Sequence, residues 1–157
     1  MNISWLEPGI LAASSIPMGR DDLYSLREQG IGAILTLTEH PLTMQAEIDA
    51  ALFAALDLVV CHCPIRDFAA PDSDTAQRAL AFINDMAAQG RATLVHCYAG
   101  QGRTGTVLHA YYLSKGLELQ QAQDYVKSRR PTCTFTNLSV LQRAFLTDFA
   151  DARSHGT

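Results

Sequence analysis

One segment near the middle of the chain combines a nucleophile, two glycines and an arginine, and it reads HCYAGQGRT from residue 96 to residue 104. Glycines at positions 100 and 102 let the backbone turn tightly, so that successive N–H groups can face inward as a nest for an anion. The guanidinium of Arg103 suits two phosphate oxygens. Cys97 lies at the base of the nest, where these donors would stabilise its thiolate for attack on phosphorus. The segment therefore predicts phosphate-ester hydrolysis through a phospho-cysteine.

The elements on either side of this segment support that prediction. Residues 92–95 (ATLV) predict a buried strand, and residues 104–115 predict a helix. Open α/β sheets bind ligands at the carboxyl ends of their strands, and strand–loop–helix is the context in which a phosphate loop is expected. A nucleotide-binding loop is disfavoured, because the Gly-Lys-Ser/Thr ending is absent. A buried core thiol and a rhodanese-type sulfurtransferase are the alternatives, but neither accounts for an arginine six residues after the cysteine.

The string HCYAGQGRTGT matches the HCxxGxxR(S/T) signature of the cysteine-based protein tyrosine phosphatases. From Ser4 to Phe149 the chain resembles the small atypical, VHZ-like dual-specificity phosphatases. The resemblance is also carried by residues 37–39 (LTE), residues 64–68 (PIRDF) and the Arg130-Pro131 pair. It implies a protein phosphatase that acts on phosphotyrosine and, as further substrates, on phosphoserine and phosphothreonine.

The resemblance also implies a role for each residue of the loop. Cys97 is the nucleophile, Arg103 clamps the phosphate, and the hydroxyl of Thr104 helps the thiolate to leave in the second step. His96 orients the loop and tunes the thiolate without touching the substrate. The phosphate is expected to bind to the backbone amides of Tyr98, Ala99, Gly100, Gln101, Gly102 and Arg103.

The leaving oxygen of a phosphate ester needs a proton, which a carboxylic acid on a facing loop can supply. Asp67 follows the predicted strand at 58–63 and is the favoured acid, with a solvated carboxylate or a partner for Arg66 as the alternatives. Related enzymes have a proline where Arg66 stands. Asp72 and Asp74 lie where a helix begins, and capping is their expected role. Phe68 is expected to pack against the substrate ring.

Two further polar residues are candidates for supporting roles. Glu39 ends a predicted strand at the same edge of the sheet as the loop at 96–104. It could hold Arg103 through a bidentate pair, although an exposed loop acid is an equal alternative. Asn137 and Gln142 resemble the late Asn-to-Gln element of the family, in which the glutamine positions the hydrolytic water. The loose spacing favours instead a surface polar residue on an ordinary helix.

The remaining sequence predicts the elements that position these residues. Strands alternate with helices in the first two thirds of the chain, and helices alone follow. This order predicts a single α/β domain with a small, mostly parallel central sheet flanked by helices, as in the dual-specificity phosphatases. We expect the catalytic domain to cover residues 1–150 and a polar tail to cover residues 151–157. The predicted strands are 10–13, 33–37, 58–63 and 92–95, and the predicted helices are 21–29, 43–56, 73–89, 104–115, 119–129 and 137–149.

Composition limits the partners that this chain can have. A formal charge of -4 argues against nucleic acid, and no apolar run is long enough to predict a membrane span. Four cysteines without a signal-like start predict free thiols in the cytoplasm. Cys61 and Cys63 would point to one face of a strand and His62 to the other, so no metal site is expected, and no cofactor either. We expect a monomer whose partner is a phosphorylated protein or peptide. A catalytically idle phosphate-binding module is the alternative from another functional class.

Gln101 leads to a prediction about the substrate. Phosphoinositide-directed members of the family carry lysine in this part of the loop, whereas Gln101 offers hydrogen bonds without charge. Tyr98 and Ala99 add no charge either. Phosphotyrosyl peptides are therefore expected to be hydrolysed better than phosphoinositides.

Overall fold

The strands of this protein form one five-stranded sheet in the order β1-β2-β5-β3-β4. The computed structural model describes residues 1–155. Strands β2, β5, β3 and β4 are parallel, and β1 pairs antiparallel with β2 at one edge. The predicted mostly parallel sheet in a single α/β domain is thus confirmed. The strands are β1 (Ser4–Glu7), β2 (Leu11–Ser14), β3 (Ile31–Thr36), β4 (Val59–His62) and β5 (Ala92–His96).

Helices cover both faces of the sheet, because alternate residues of the central strands point to opposite sides. Ile34 and Leu94 pack towards α1 and α2, whereas Leu35 and Val95 pack towards α3, α4, α5 and α6. All four side chains are fully buried. The helices are α1 (Arg20–Glu28), α2 (Ala50–Ala55), α3 (Ser73–Ala88), α4 (Gly102–Ser114), α5 (Leu119–Arg129) and α6 (Val140–His155).

Helix α4 occupies the centre of the second layer, in contact with α3, α5 and α6. Every residue from Arg103 to Leu113 is buried, as expected for a helix that is enclosed on all sides. Its N-terminus is joined to the carboxyl end of β5, a central strand of the sheet, by the loop at 97–101. No helix within residues 1–155 is long and apolar enough to cross a membrane.

Four predictions about the elements were wrong or incomplete. Strand β1 was not predicted, because its sequence SWLE does not alternate between polar and apolar residues and only Leu6 is buried. In place of the helix predicted at 43–56, a short 3-10 turn at 42–44 is followed by α2. The helix is interrupted because Glu47 adopts a positive φ of 66°, and Asp49 caps α2 by accepting the N–H of Leu52 at 2.8 Å. The last helix begins at Val140 instead of Asn137. Residues 151–155, predicted as a tail, continue α6, and residues 156–157 lie outside the described residues.

Candidate active site

The phosphate loop (residues 97–103) comprises the turn between β5 and α4 and the first two residues of α4, and it is tightly folded against β2. Its turn depends on Gly100, which has a φ of +71°. A Cβ atom at this position would collide with the carbonyl oxygen of Ser14 and lie 2.7 Å from Nη2 of Arg130. Only glycine therefore fits at the point where the loop meets the end of β2.

The phosphate loop presents backbone donors that the protein itself does not use. Within residues 1–155 the N–H groups of residues 98–103 have no hydrogen-bond partner in the chain, whereas the N–H of Gly105 bonds to the carbonyl of Gln101 at 2.7 Å. The N-terminus of α4 adds its positive dipole end at the same place. The hydroxyl of Thr104 donates to Sγ of Cys97 at 3.1 Å. The loop thus has the donors of an anion-binding site with a thiol at its base.

Arg103 is held between the phosphate loop and two other loops. Its Nη1 donates to Oε1 of Glu39 at 2.6 Å and to the carbonyl of Ile65 at 3.1 Å, and its Nη2 lies 3.5 Å from Oδ1 of Asp67. The side chain is only 3% exposed, and its Nε is buried without a partner in the described part of the chain. A buried donor of this kind is costly unless a ligand satisfies it, and a phosphate oxygen would do so.

Glu39 joins Arg103 to the loop that carries Asp67. Glu39 does contact Arg103, but only through Nη1 of the guanidinium, so the pair is not bidentate. The second oxygen, Oε2, accepts the backbone N–H of Asp67 at 3.3 Å instead. Hydrogen bonds from the backbone N–H groups of Glu39 itself and Asp67 lower the pKa of Glu39. One carboxylate therefore orients the arginine and also holds the neighbouring loop.

His96 is fully buried beneath the loop as a neutral imidazole. Its Nδ1 lies 2.9 Å from the carbonyl of Cys97, and its Nε2 lies 2.9 Å from Oγ1 of Thr36. Because a carbonyl can only accept, Nδ1 carries the proton and Nε2 accepts from the threonine hydroxyl. Burial lowers the pKa of His96 to about 4. The side chain lies behind the loop, as expected for a residue that orients it.

Asp67 lies on the loop after β4, which we call the acid loop (residues 64–69). Its carboxylate is half exposed, and Oδ1 accepts the N–H of Phe68 at 3.0 Å. Phe68 has a φ of +64°, and its ring is exposed. Asp72 instead caps α3 by accepting the N–H of Thr75 at 2.8 Å, and Asp74 lies in the first turn of that helix. Of these three acids, only Asp67 lines the cavity of Cys97.

Helix α6 fastens the acid loop through two residues at its start. The hydroxyl of Ser139 donates to the carbonyl of Phe68 at 2.7 Å, and Nε2 of Gln142 donates to the carbonyl of Ala69 at 3.2 Å. Gln142 is 1% exposed, so the preference for a surface residue was wrong. Its Oε1 accepts the N–H of Ser139 at 3.0 Å. Sequence reasoning missed Ser139, although Ser-x-x-Gln is a recognisable capping box.

The two loops and the start of α6 enclose a cavity of about 230 Å³. It brings together Cys97 and Asp67, the predicted nucleophile and acid. Among the described residues that line it, Arg103 is the only cation. Glu39, Thr104 and His96 do not line the cavity. Glu39 contacts Arg103, whereas Thr104 and His96 contact Cys97. The lining residues are Asp67, Phe68, Cys97, Tyr98, Ala99, Gln101, Gly102, Arg103, Asn137, Ser139 and Gln142.

Residues 61–63 and the two arginines at the end of α5 lie away from this cavity. The Sγ atoms of Cys61 and Cys63 are 3.7 Å apart, whereas the ring of His62 bonds to the carbonyl of Thr38 at 2.7 Å, so the three side chains do not converge. Arg129 stacks on a tyrosine ring at the surface. Arg130 is buried and does not line the cavity.

Comparisons with known proteins agree with this geometry. The family described as "Polymorphic toxin system, DSP-PTPase phosphatase" matches residues 9–117. Phosphatidylglycerophosphate phosphatase PTPMT2 of Arabidopsis thaliana is 32% identical over 77% of this chain and 52% of its own length. Human dual specificity protein phosphatase 12 is 28% identical over 80% of this chain and 36% of its own length. This chain thus spans about half or less of these curated relatives.

The fold is shared along nearly the whole chain with a solved structure. The crystal structure of Tk-PTP in the active form superposes with a TM-score of 0.81 at 26% identity. The superposition covers 95% of this chain and 96% of that one. The likeness includes the predicted sheet and helices, not only the signature loop.

Proposed function

This chain belongs to the dual-specificity branch of the cysteine-based protein tyrosine phosphatases, and we propose that it hydrolyses phosphotyrosine in proteins, with phosphoserine and phosphothreonine as further substrates. One observation carries the proposal. A single cavity holds the thiol of Cys97, the unpartnered N–H groups of the phosphate loop and the carboxylate of Asp67. The unsatisfied Nε of Arg103 belongs to the same site.

In the first step the thiolate of Cys97 attacks phosphorus, and the bond from phosphorus to the ester oxygen breaks. The loop N–H groups and Arg103 stabilise the charge on the three phosphate oxygens. Asp67 gives its proton to the leaving oxygen. The product is a phospho-cysteine and a free alcohol or phenol.

In the second step water attacks the phospho-cysteine and releases inorganic phosphate. Asp67, now a carboxylate, takes the proton of the water, and the hydroxyl of Thr104 stabilises the departing thiolate across the 3.1 Å contact. The bonds of Gln142 to Ala69 and Ser139 use one amide hydrogen and one oxygen lone pair. The remaining hydrogen and lone pair are available to hold the attacking water.

The walls of the cavity favour a phosphorylated tyrosine over a more highly charged substrate. The exposed rings of Phe68 and Tyr98 both line it and can pack against a phenyl ring. Arg103 provides one cation, which is sufficient for one phosphate. A phospholipid with a second phosphate group would bring charge without a matching cation among the lining residues.

Phosphatidylglycerophosphate is the second candidate substrate, because PTPMT2 of Arabidopsis thaliana is named for it. The test compares kcat/KM for a phosphotyrosyl peptide, a phosphoseryl peptide, phosphatidylglycerophosphate and a phosphoinositide, with both lipids in mixed micelles and a metal chelator in every assay. We expect the phosphotyrosyl peptide to be hydrolysed at least about tenfold better than either lipid, as one well-placed interaction allows. A preference for a lipid would overturn the substrate proposal. Absence of hydrolysis of all four would favour the idle binding module.

We further propose that the protein acts as a monomer in the cytoplasm. The cavity is complete within one chain, and all four cysteines are free thiols. A reducing compartment preserves such thiols, Cys97 among them. Light scattering on the purified protein, together with fractionation of cells that produce it, tests both statements.

A further inference from the structure

Arg130 is a buried cation on the far side of the phosphate loop from the cavity. It is 3% exposed, and it forms no ion pair with any carboxylate in the described part of the chain. Its Nη1 donates to the carbonyl of Asn2 and to the hydroxyl of Ser4, both at 2.9 Å. Its Nε donates to the carbonyl of Gly100 at 3.0 Å. Burying a guanidinium without a carboxylate partner is costly, so these hydrogen bonds are needed to offset the loss of its hydration.

The carbonyl of Gly100 accepts a second hydrogen bond from the same side. Sγ of Cys133 lies 3.2 Å from this oxygen. Burial raises the pKa of Cys133 to about 11, so that it keeps its proton near neutral pH and can donate it. Two donors therefore hold one carbonyl oxygen of the phosphate loop from behind.

A trans peptide unit is planar, and its C=O and N–H groups point in opposite directions. Fixing the carbonyl of Gly100 towards Arg130 therefore fixes the N–H of Gln101 away from Arg130. This N–H is one of the unpartnered donors of the phosphate loop. We infer that Arg130 is a positioning residue that keeps the N–H of Gln101 directed at the bound phosphate.

The flexibility of Gly100 explains why the Gly100–Gln101 peptide needs this restraint. Gly100 must be glycine to approach Ser14, and a glycine restrains the rotation of its neighbouring peptide less than any other residue does. Rotation of the Gly100–Gln101 peptide would remove one donor and present a carbonyl dipole to the anion. The thiol of Cys133 is a weak donor, whereas a charged guanidinium is a strong one. Arg130 therefore supplies most of the restraint.

The inference rests on the proposed phosphate site, and its test measures binding separately from catalysis. Arg130→Met removes the donor and the charge, Arg130→Lys keeps the charge, and Arg129→Met is the matched control at an exposed neighbour. Each variant is titrated with inorganic phosphate while the amide resonance of Gln101 is followed by NMR, and kcat and KM are measured with para-nitrophenyl phosphate.

We expect Arg130→Met to weaken phosphate binding about 10- to 100-fold, the amount typical of a lost hydrogen bond to a charged group. The shift of the Gln101 amide on phosphate binding should shrink with it. Arg130→Lys should lie between Arg130→Met and the wild type, and Arg129→Met should match the wild type. Cys133→Ala should have a small effect alone and a larger one in the Arg130→Lys background, because both side chains hold the same carbonyl.

Wild-type phosphate affinity and an unchanged Gln101 shift in Arg130→Met would overturn the inference, whatever the activity. If Arg130→Met fails to fold, Arg130→Lys decides, since a lysine that binds phosphate as the wild type does would also overturn it. A wild-type protein that binds phosphate with the expected Gln101 shift but hydrolyses no ester would contradict the proposed function alone. A wild-type protein that does not bind phosphate would contradict the inference as well.

Discussion

The phosphate loop and the acid loop face the same cavity but are built in different ways. Cys97 and Arg103 are each 3% exposed, whereas the side chain of Asp67 is 55% exposed and Phe68 is 71% exposed. The phosphate loop joins a central strand to the central helix, and its donors are mostly backbone groups. The acid loop lies at the surface, held by the side chains of Glu39, Ser139 and Gln142.

This difference separates two requirements of the reaction. Donors that bind charge in the transition state must be fixed before the substrate arrives, and burial in the core provides that. A group that exchanges protons with substrate and water needs access to solvent. Substitutions in the phosphate loop should therefore abolish the reaction, and those around the acid loop should reduce it by degrees.

The largest effect is expected for Cys97→Ser. A serine keeps the shape of the site but has no readily ionised nucleophile, so kcat with para-nitrophenyl phosphate should fall by about 10⁴-fold or more. Rates are measured with a metal chelator present, and thermal unfolding confirms that the variant is folded. Activity that survives the substitution, or that requires a divalent metal, would contradict the assigned nucleophile.

Asp67→Asn should have the next largest effect, because asparagine cannot deliver a proton. We expect kcat to fall about 10²- to 10⁴-fold with phenyl phosphate and by less with para-nitrophenyl phosphate, whose leaving group needs no acid. The basic limb of the profile of kcat/KM against pH should flatten. Asp72→Asn is the control, since that side chain caps α3. An unchanged basic limb in Asp67→Asn would move the acid to another residue.

Burial of neutral His96 beneath the phosphate loop should make the folded protein less stable at low pH. Its pKa of about 4 in the folded chain lies below the value of 6.5 of an exposed histidine, so the unfolded chain binds the extra proton first. Stability should be complete above about pH 6.5 and fall as the pH decreases towards 4, by about 3 kcal/mol. Urea unfolding of wild type and His96→Asn across this range measures it. Equal pH dependence in the two proteins would rule out His96 as the cause.

The smallest effect is expected for Glu39→Gln, which alters the link between the two loops. Glutamine can still accept from Nη1 of Arg103 but loses the charge and the bond to the N–H of Asp67. Because Glu39 is half exposed, kcat/KM should fall only about 3- to 10-fold. Glu28→Gln, at an exposed acid of α1, is the control. A loss as large as that of Asp67→Asn would mean that the two loops act as one unit.

The phosphate loop was predictable from sequence because its residues are consecutive. A strand, two glycines, an arginine and a helix start specify the binding site locally, and the structure places the residues together as the spacing requires. The position of Asp67 at the cavity was predictable for a similar reason, since it lies on the loop after a strand whose carboxyl end is at the same edge of the sheet. The capping box of Ser139 and Gln142 was also visible, but nothing local connects it with residues 68 and 69.

Contacts between distant segments could not be predicted in this way. In the sequence Arg130 stands out only as part of the Arg130-Pro131 pair, and only the folded chain shows that it lies behind the phosphate loop. The break near residue 47 has a local origin that helix propensity does not reveal. Composition favoured one long helix, and the positive φ of Glu47 and the cap at Asp49 shortened it. Propensity describes each segment alone, whereas the site depends on which segments meet.

The bonds of Arg130 to Asn2 and Ser4 also have a consequence for the order in which the protein is made. They join residues that are 128 and 126 positions apart in the chain. A growing polypeptide that has reached residue 129 already contains the complete HCYAGQGRT segment, but it lacks Arg130, Cys133, Ser139 and Gln142. A contact over so long a separation cannot form before both of its segments have been synthesised. The contacts that hold the phosphate loop around Cys97 and the acid loop are therefore complete only after residues 130–142 have been synthesised. A chain that stops at residue 129 carries the motif without the residues that position it.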